Sequence, residues 1–254
     1  MKVSLLITTY NYPGALELVL RSVARQTRVP DEVIICDDGS SIKSSAVAGS
    51  WVGRLPIRHT WQPDRGFRAA RSRNLGISAS GSEYLIFIDG DCLLPPNFVS
   101  NHLRLASPEV IVTGGRHLLG RSHSRSLLDG SEVVETAFRH WKFQSPPLGF
   151  MRDIHATNWK AVRTCNLSLY REIAEAIGGF DEAYTGWGRE DSDLVVRLIR
   201  WGFKVRSARF AASVAHLHHP ERSRTELSAN ERRFCSCLED SFHLLSSKSV
   251  LTDS

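Results

Sequence analysis

The sequence predicts an α/β fold with a mostly parallel central sheet flanked by helices. Three observations carry this expectation. Short runs rich in branched apolar residues recur at 3–9, 33–36 and 84–88. Leu16, Val19, Leu20 and Val23, with the spacing of an amphipathic helix, separate the first two runs. Each run stops in polar, turn-forming residues: TTYN at 8–11, DDGS at 37–40 and DGD at 89–91. Strands that are apolar at consecutive positions are buried on both faces, and strands joined through a helix run parallel.

The remaining elements follow in order. Residues 57–61 form a strand candidate, and 66–78 have helical composition around Ala69, Ala70 and Leu75. A strand over 110–113 ends in Gly114 and Gly115, after which periodicity is lost from 116 to 164 except for helical spacing over 132–143. A helix over 170–177 is closed by Gly178 and Gly179. Another over 190–201 carries Leu194, Val195, Leu198 and Ile199 on one face and stops at Gly202. Segments 203–207 and 211–216 return as strands. A terminal helix over 226–245 has both apolar and basic residues, so it can dock on the domain or on a membrane surface. With no repeat or linker, residues 1–254 read as one domain: a first half over 1–115, a second over 116–220 and a helical tail over 221–254.

Composition narrows the class. A 42% hydrophobic content supplies a full core, and no apolar run reaches the roughly 18 residues that a membrane span needs. Neither an apolar stretch nor a small-residue cleavage site marks the N-terminus as a signal peptide, so a cytoplasmic protein is expected. Five cysteines without a CxxC pair suggest free thiols rather than a disulfide framework. The net charge of +5 favours anionic partners.

In an open parallel sheet, ligands bind beyond the carboxyl ends of the strands, where the three polar clusters lie. Asp89 and Asp91 flank a glycine after a buried strand, a spacing that lets two carboxylates approach one hard cation, although Asp-Gly is also a common turn. The adjacent acids Asp37 and Asp38 should repel one another, which a ligand offering hydrogen-bond donors would relieve. Trp187 stands between Gly186 and Gly188, ahead of Glu190, Asp191 and Asp193. Acids suit a helix N-terminus, but capping needs no indole, whereas an aromatic platform beside carboxylates suits a sugar ring. Of His216, His218 and His219, the first and second share a face if their strand continues, and one imidazole could complete a metal site. Arg65, Arg68, Arg71 and Arg73 crowd the start of a helix, where a diphosphate is attracted.

Taken in order, TTYN, DDGS, RNLGI at 73–77, DGD, GGFDE at 178–182 and WGRED at 187–191 resemble glycosyltransferase family 2 with a GT-A fold. The resemblance covers about residues 3–220. Its latter part is similar to the galactosyltransferase-type segment shared with bacterial chondroitin-type polymerases. It implies that Thr8, Tyr10, Asn11, Asp38, Arg73 and Asp89 bind a nucleotide-sugar donor, with UDP-sugar expected. Asp91 would hold Mn2+ or Mg2+ with His216 as first choice of third ligand and His218 as second. Asp191 would be the general base with Glu190 beside it, and Trp187 and Gly188 would line the sugar and acceptor pocket. Residues 1–115 would then serve the donor and 116–220 a saccharide or glycolipid acceptor, with peripheral contact at the inner membrane face left open and no nucleic-acid partner. The expected reaction is an inverting, metal-dependent sugar transfer. A nucleotidyltransferase or metal-dependent phosphohydrolase would also place carboxylates at strand ends, but it leaves WGRED without a task.

Overall fold

A computed structural model describes residues 1–139, 157–220 and 225–252. The first half alternates strand and helix: β1 (Val3–Thr9), α1 (Pro13–Ala24), β2 (Glu32–Asp37), α2 (Ile42–Ser50), β3 (Ile57–Trp61), α3 (Ala69–Ala79) and β4 (Tyr84–Asp89). Then come β5 (Cys92–Leu93), α4 (Phe98–Leu105), β6 (Val110–Thr113), β7 (Arg116–Leu118) and α5 (Arg121–Leu128). The second half supplies β8 (Asn166–Tyr170), α6 (Arg171–Ala176), α7 (Glu190–Arg200), β9 (Lys204–Ser207), β10 (Val214–His216) and α8 (Leu227–Glu239).

The main sheet runs β3-β2-β1-β4-β8-β6-β9, with β8 antiparallel to both neighbours and the other pairs parallel. Alternate side chains leave it on opposite faces. Val3, Leu5 and Ile7 of β1 and Tyr84, Ile86 and Ile88 of β4 pack with α1 and α4, while Leu6, Leu85 and Phe87 pack with α3, α6 and α7. The sheet is thus covered on both sides, as the consecutive apolar runs require.

Several expectations change. The strand β8 was not anticipated: it inserts antiparallel into the sheet, where His102 Nε2–H donates to Asn166 Oδ1 (2.9 Å) and its Nδ1 accepts from Ser168 Oγ (2.8 Å). Burial brings His102 down to about 4, which keeps this central imidazole neutral. In the 116–164 stretch, β7 and α5 form without apolar periodicity. The helical spacing over 132–143 yields only a 3-10 helix at Val134–Phe138, residues 140–143 lying outside the described ones. Helix α3 begins at Ala69 rather than at 66, and the expected terminal helix is confined to Leu227–Glu239.

A second, three-stranded sheet, β5-β10-β7, positions the site. Its antiparallel register sets His216 opposite Cys92, and the Leu217 N–H donates to the Asp91 carbonyl at 2.9 Å. The strand therefore delivers a C-terminal histidine to the end of β4. After β10, the polypeptide leaves extended pairing, and the period-two reading of the three histidines ceases to apply.

Candidate active site

The parallel register aligns Thr8 of β1 with Cys36 of β2 and Asp89 of β4, so TTYN, DDGS and DGD meet at one rim. A cavity of about 480 Å³ opens there. Of the residues singled out from sequence, Thr8, Tyr10, Asp38, Arg73, Asp89, Asp91, Trp187 and His216 line it. Asn11, Gly188, Glu190 and Asp191 do not.

Asn11 holds a turn at the cavity rim. It adopts positive φ (46°), its N–H donates to Ser40 Oγ (2.8 Å), and its Oδ1 accepts from the Ser41 N–H (2.9 Å). It thereby ties the end of β1 to the start of α2.

The paired acids of DDGS are satisfied by the protein itself, which removes the need for a ligand to relieve their repulsion. Asp37 accepts from the Ser40 N–H (2.7 Å) and meets His59 Nε2 (3.1 Å). Burial alone would raise its pKa, but these bonds hold it below the ordinary carboxylate value. Asp38 accepts from Gln62 Nε2 (2.5 Å) and the Arg68 N–H (2.8 Å). Its carboxylate is consequently fixed at the cavity edge.

Arg73 joins both halves of the rim. It is 4% exposed and donates to Thr8 Oγ1 (3.2 Å), Glu190 Oε1 (3.0 Å) and Asp89 Oδ1 (3.4 Å). Burial opposes its charge, but Glu190 and Asp89 more than compensate and raise its pKa. Much of its hydrogen-bonding capacity is thus used within the protein, so Arg73 positions three neighbours as well as facing the cavity. Glu190 is buried at the other end of this bridge. Burial and the adjacent Asp191 raise its pKa against the pull of Arg73.

Gly90 lets the two acids of DGD diverge. Its N–H donates to the Thr8 carbonyl at 2.7 Å, and a Cβ there would lie 3.0 Å from Thr9 Cβ and 3.1 Å from that carbonyl. Asp91 turns toward two imidazoles: His216 Nε2 lies 3.4 Å from its Oδ1 and His219 Nε2 3.2 Å from its Oδ2. Burial, helped by Asp89, raises the Asp91 pKa despite those rings. His218 and His219 also line the cavity; the His218 backbone N–H donates to Ser124 Oγ (2.8 Å), and among the described residues the rings paired with Asp91 are those of His216 and His219.

Among the described residues, Asp91, Cys92 and His216 each bring one ligand atom within 4.8 Å of the others, and His219 reaches Asp91 through its second oxygen; the carboxylate and imidazoles suit a divalent cation such as manganese or magnesium. Cys92 also approaches, its Sγ donating to Asp91 Oδ1 at 3.7 Å. Burial pushes this thiol well up and keeps it protonated, a poor ligand for such an ion.

Trp187, 42% exposed, projects from a loop whose chirality is unusual: Gly186, Gly188 and Arg189 have φ of 72°, 105° and 80°. Helix α8 clamps this loop. Asn230 Nδ2 donates to the carbonyls of Thr185 (2.9 Å) and Trp187 (3.4 Å), and Arg189 pairs with Glu231 (2.7 Å). Leu227–Glu239 thus packs on the domain, burying Phe234 and Cys237 against Tyr184 and Val196.

Arg189 opens α7, where Asp191 Oδ1 accepts from the Ser192 N–H (2.7 Å). Sequence reasoning missed Arg116, Leu118 and Tyr12 as cavity residues. Arg116 and Leu118 lie on a strand without apolar alternation. Burial and the charge of Asp91 raise Tyr12, which marks its closeness to the acid.

Comparisons with known proteins bear on the family and the fold. The model for glycosyl transferase family 2 matches residues 4–174, and that for the N-terminal domain of galactosyltransferase matches 153–220. Validoxylamine A glucosyltransferase of Streptomyces hygroscopicus subsp. limoneus is 31% identical over 91% of this chain and 55% of its own length. Chondroitin synthase of Escherichia coli is 27% identical over 80% of this chain and 33% of its own. The chain thus spans only part of these relatives. Among solved structures, mannosyltransferase PcManGT from Pyrobaculum calidifontis, in complex with GDP-Man and Mn2+, superimposes with a TM-score of 0.64 at 19% identity, over 94% of this chain and 64% of that one. S. aureus TarS 1-349 in complex with UDP-GlcNAc gives 0.68 at 12% identity, over 94% and 67%. At these identities the likeness establishes the GT-A fold. Matched over more than half its length by the family model, the chain belongs to glycosyl transferase family 2 and is a glycosyltransferase with a galactosyltransferase-like C-terminal region.

Proposed function

We propose that the cavity binds a nucleotide diphosphate sugar, with a UDP-sugar the first candidate, and that the enzyme transfers the sugar with inversion to a hydroxyl of a saccharide or glycolipid acceptor. The reading rests on one observation above all: a single cavity gathers Thr8, Asp38, Arg73 and Asp89 from the parallel strands, the Asp91–His216–His219 group, and Trp187 from the galactosyltransferase-like segment. Residues 1–115 then serve the donor and 116–220 the acceptor. The named relatives and the nucleotide-sugar complexes of similar fold are in keeping with this.

Thr8, Tyr10 and Asp38 would contact the base and Asp89 the ribose side. Arg73 would hold Asp89 in place. Asp91, His216 and His219 would hold Mn2+ or Mg2+, which when bound supplies positive charge opposite the departing diphosphate. Trp187 would stack on the sugar.

Asp191 is the proposed base. Glu190 is buried and bound to Arg73, whereas Asp191 is half-buried and, among the described residues, engaged only at Oδ1, by Ser192. Its other oxygen remains available to take the acceptor proton. One displacement at the anomeric carbon forms the new C–O bond as the bond to the diphosphate breaks, and the configuration inverts.

Thermal unfolding with a panel of nucleotide sugars, with and without manganese, tests the donor half of this reading. A metal-dependent rise in midpoint with a UDP-sugar is expected. NMR of the product should then give the opposite anomeric configuration to the donor. Release of pyrophosphate or inorganic phosphate without a glycosylated acceptor would instead favour nucleotidyl or phosphohydrolase chemistry.

A further inference from the structure

Away from the cavity, three separate stretches of chain bring a second set of metal-ligating side chains together. Asp193 comes from the first turn of α7, Cys237 from α8, and His243 from the segment that follows α8. One ligand atom from each lies within 4.8 Å of the others. Asp193 is fully buried and Cys237 nearly so. His243 Nε2 is itself buried and approaches Asp193 Oδ1 at 3.4 Å without any hydrogen bond among the described residues. The ring nitrogen of His243 thus has the Asp193 carboxylate beside it but outside good hydrogen-bond geometry, so its burial is only partly compensated.

We propose that Asp193, Cys237 and His243 bind a zinc ion that fastens the C-terminal segment to α7. One carboxylate, one thiol and one imidazole form a borderline-soft set suited to zinc, unlike the carboxylate and imidazoles beside Asp91. Around a tetrahedral ion with bonds of 2.0–2.3 Å, neighbouring ligand atoms lie about 3.3–3.8 Å apart. The 3.4 Å approach of His243 to Asp193 needs little adjustment to meet that spacing.

The surrounding groups support the ligands. Arg197 Nε donates to Asp193 Oδ2 at 2.8 Å and so fixes the carboxylate with Oδ1 toward His243. Tyr184 OH donates to the same Oδ1 at 3.4 Å. Arg200 Nη1 stands 3.9 Å from Cys237 Sγ, where its charge favours the thiolate. Burial and Asp193 otherwise push this thiol up to about 12, so the free site keeps it protonated. On binding, the Cys237 proton leaves to solvent and the sulfur bonds to the ion. Zinc with one thiolate and one carboxylate is charge-neutral, and a water completes the fourth position.

The site is tested on the 254-residue chain with cobalt(II) and zinc(II), without any assay of transfer. Cobalt should give a sulfur-to-metal charge-transfer band that is lost in Cys237→Ser and kept in Cys92→Ser and Cys235→Ser. Zinc affinity, measured by competition with a chromophoric chelator, should fall at least tenfold in His243→Gln. Absence of the band, its survival in Cys237→Ser, its loss in Cys92→Ser, or unchanged zinc affinity in His243→Gln would each overturn the proposal and leave an internal hydrogen-bonded cluster. If Cys237→Ser does not fold, as judged by circular dichroism, the His243→Gln affinity decides.

Discussion

At the scale of single residues, the site is organised by charge neutralisation across distance in sequence. Arg73, from α3, reaches Thr8 and Asp89 at the strand ends and Glu190 at the start of α7, so one guanidinium registers the first-half strand ends against the second-half helix. The two proposed roles of acid separate cleanly by experiment. Asp191→Asn should lower kcat by about 10²–10⁴-fold while donor affinity stays within a small factor. Asp91→Asn should weaken both donor binding and transfer. Calorimetric titration of donor alongside initial rates makes the comparison, and full transfer by the Asp191→Asn enzyme would remove it as the base. The histidines divide in the same way. His219→Ala should reduce the manganese dependence of donor binding as His216→Ala does, because both rings lie within 3.4 Å of Asp91. His218→Ala should leave that dependence intact; equal losses in the His218 and His219 variants would contradict the assignment.

At the scale of elements, the loop carrying Trp187 is held from behind rather than by its own hydrogen bonds. Gly186 combines φ of 72° with a position where a Cβ would lie 2.5 Å from Glu226 Cβ, just before α8. Any larger residue must therefore accept left-handed strain and push the helix away. Gly186→Ala should cost about 1–3 kcal/mol in denaturant unfolding and raise KM for the donor sugar. A variant as stable and active as the parent would show that α8 does not set this loop. Helix α7 is anchored more strongly at its other face. The Asp193–Arg197 pair is fully buried, and Arg197 also donates to the carbonyls of Ile177 (2.9 Å) and Gly179 (2.8 Å). Removing one member of such a pair costs about 3–5 kcal/mol, against at most about 1 kcal/mol for exposed pairs such as Arg171–Glu175. The position of Glu190 and Asp191 thus depends on contacts buried well behind the cavity.

At the scale of the whole molecule, the chain closes on itself around the motifs. Asn74 Nδ2 donates to the Phe180 carbonyl (2.8 Å), Glu182 Oε1 (2.9 Å) and Ser249 Oγ (3.0 Å), which joins the RN pair, GGFDE and the C-terminal segment in one buried node. Carboxylates also couple folding to pH. Burial alone would raise Glu32, but Ser4 Oγ (2.6 Å), Ser82 Oγ (2.8 Å) and the Gly81 N–H (2.9 Å) hold it below its ordinary value; Asp37 is lowered likewise. A lowered folded-state pKa means that the unfolded chain binds more protons as pH drops through the ordinary carboxylate range. The stabilisation is complete above that range and is lost as pH falls through the lowered folded values. Urea unfolding between pH 7 and 3 should show stability falling toward acid, with a shallower fall in Glu32→Gln. An unchanged slope in that variant would exclude Glu32 from the effect.

The strands β1, β2, β4 and β6 were legible because a two-faced buried strand needs consecutive apolar residues, a constraint imposed locally on each segment. The same logic placed Asp38, Asp89 and Asp91 at one rim, since parallel strands end together. Strand β8 was not legible: whether NLSLY runs with or against its neighbours depends on β4 and β6, not on its own residues. Nor could spacing bring out the pairing of His219 with Asp91, because β10 ends at His216 and strand periodicity does not govern the residues that follow. Asn11 holds a turn, a task visible only when Ser40 and Ser41 fold back onto it. Sequence alone determined the sheet, its carboxyl rim and the acids on it, because burial and backbone pairing act segment by segment. Tertiary structure decided the partners of those acids, because a carboxylate's neighbours come from wherever the chain returns: Arg73 to Glu190 across 117 positions, and His216 to Asp91 through β10.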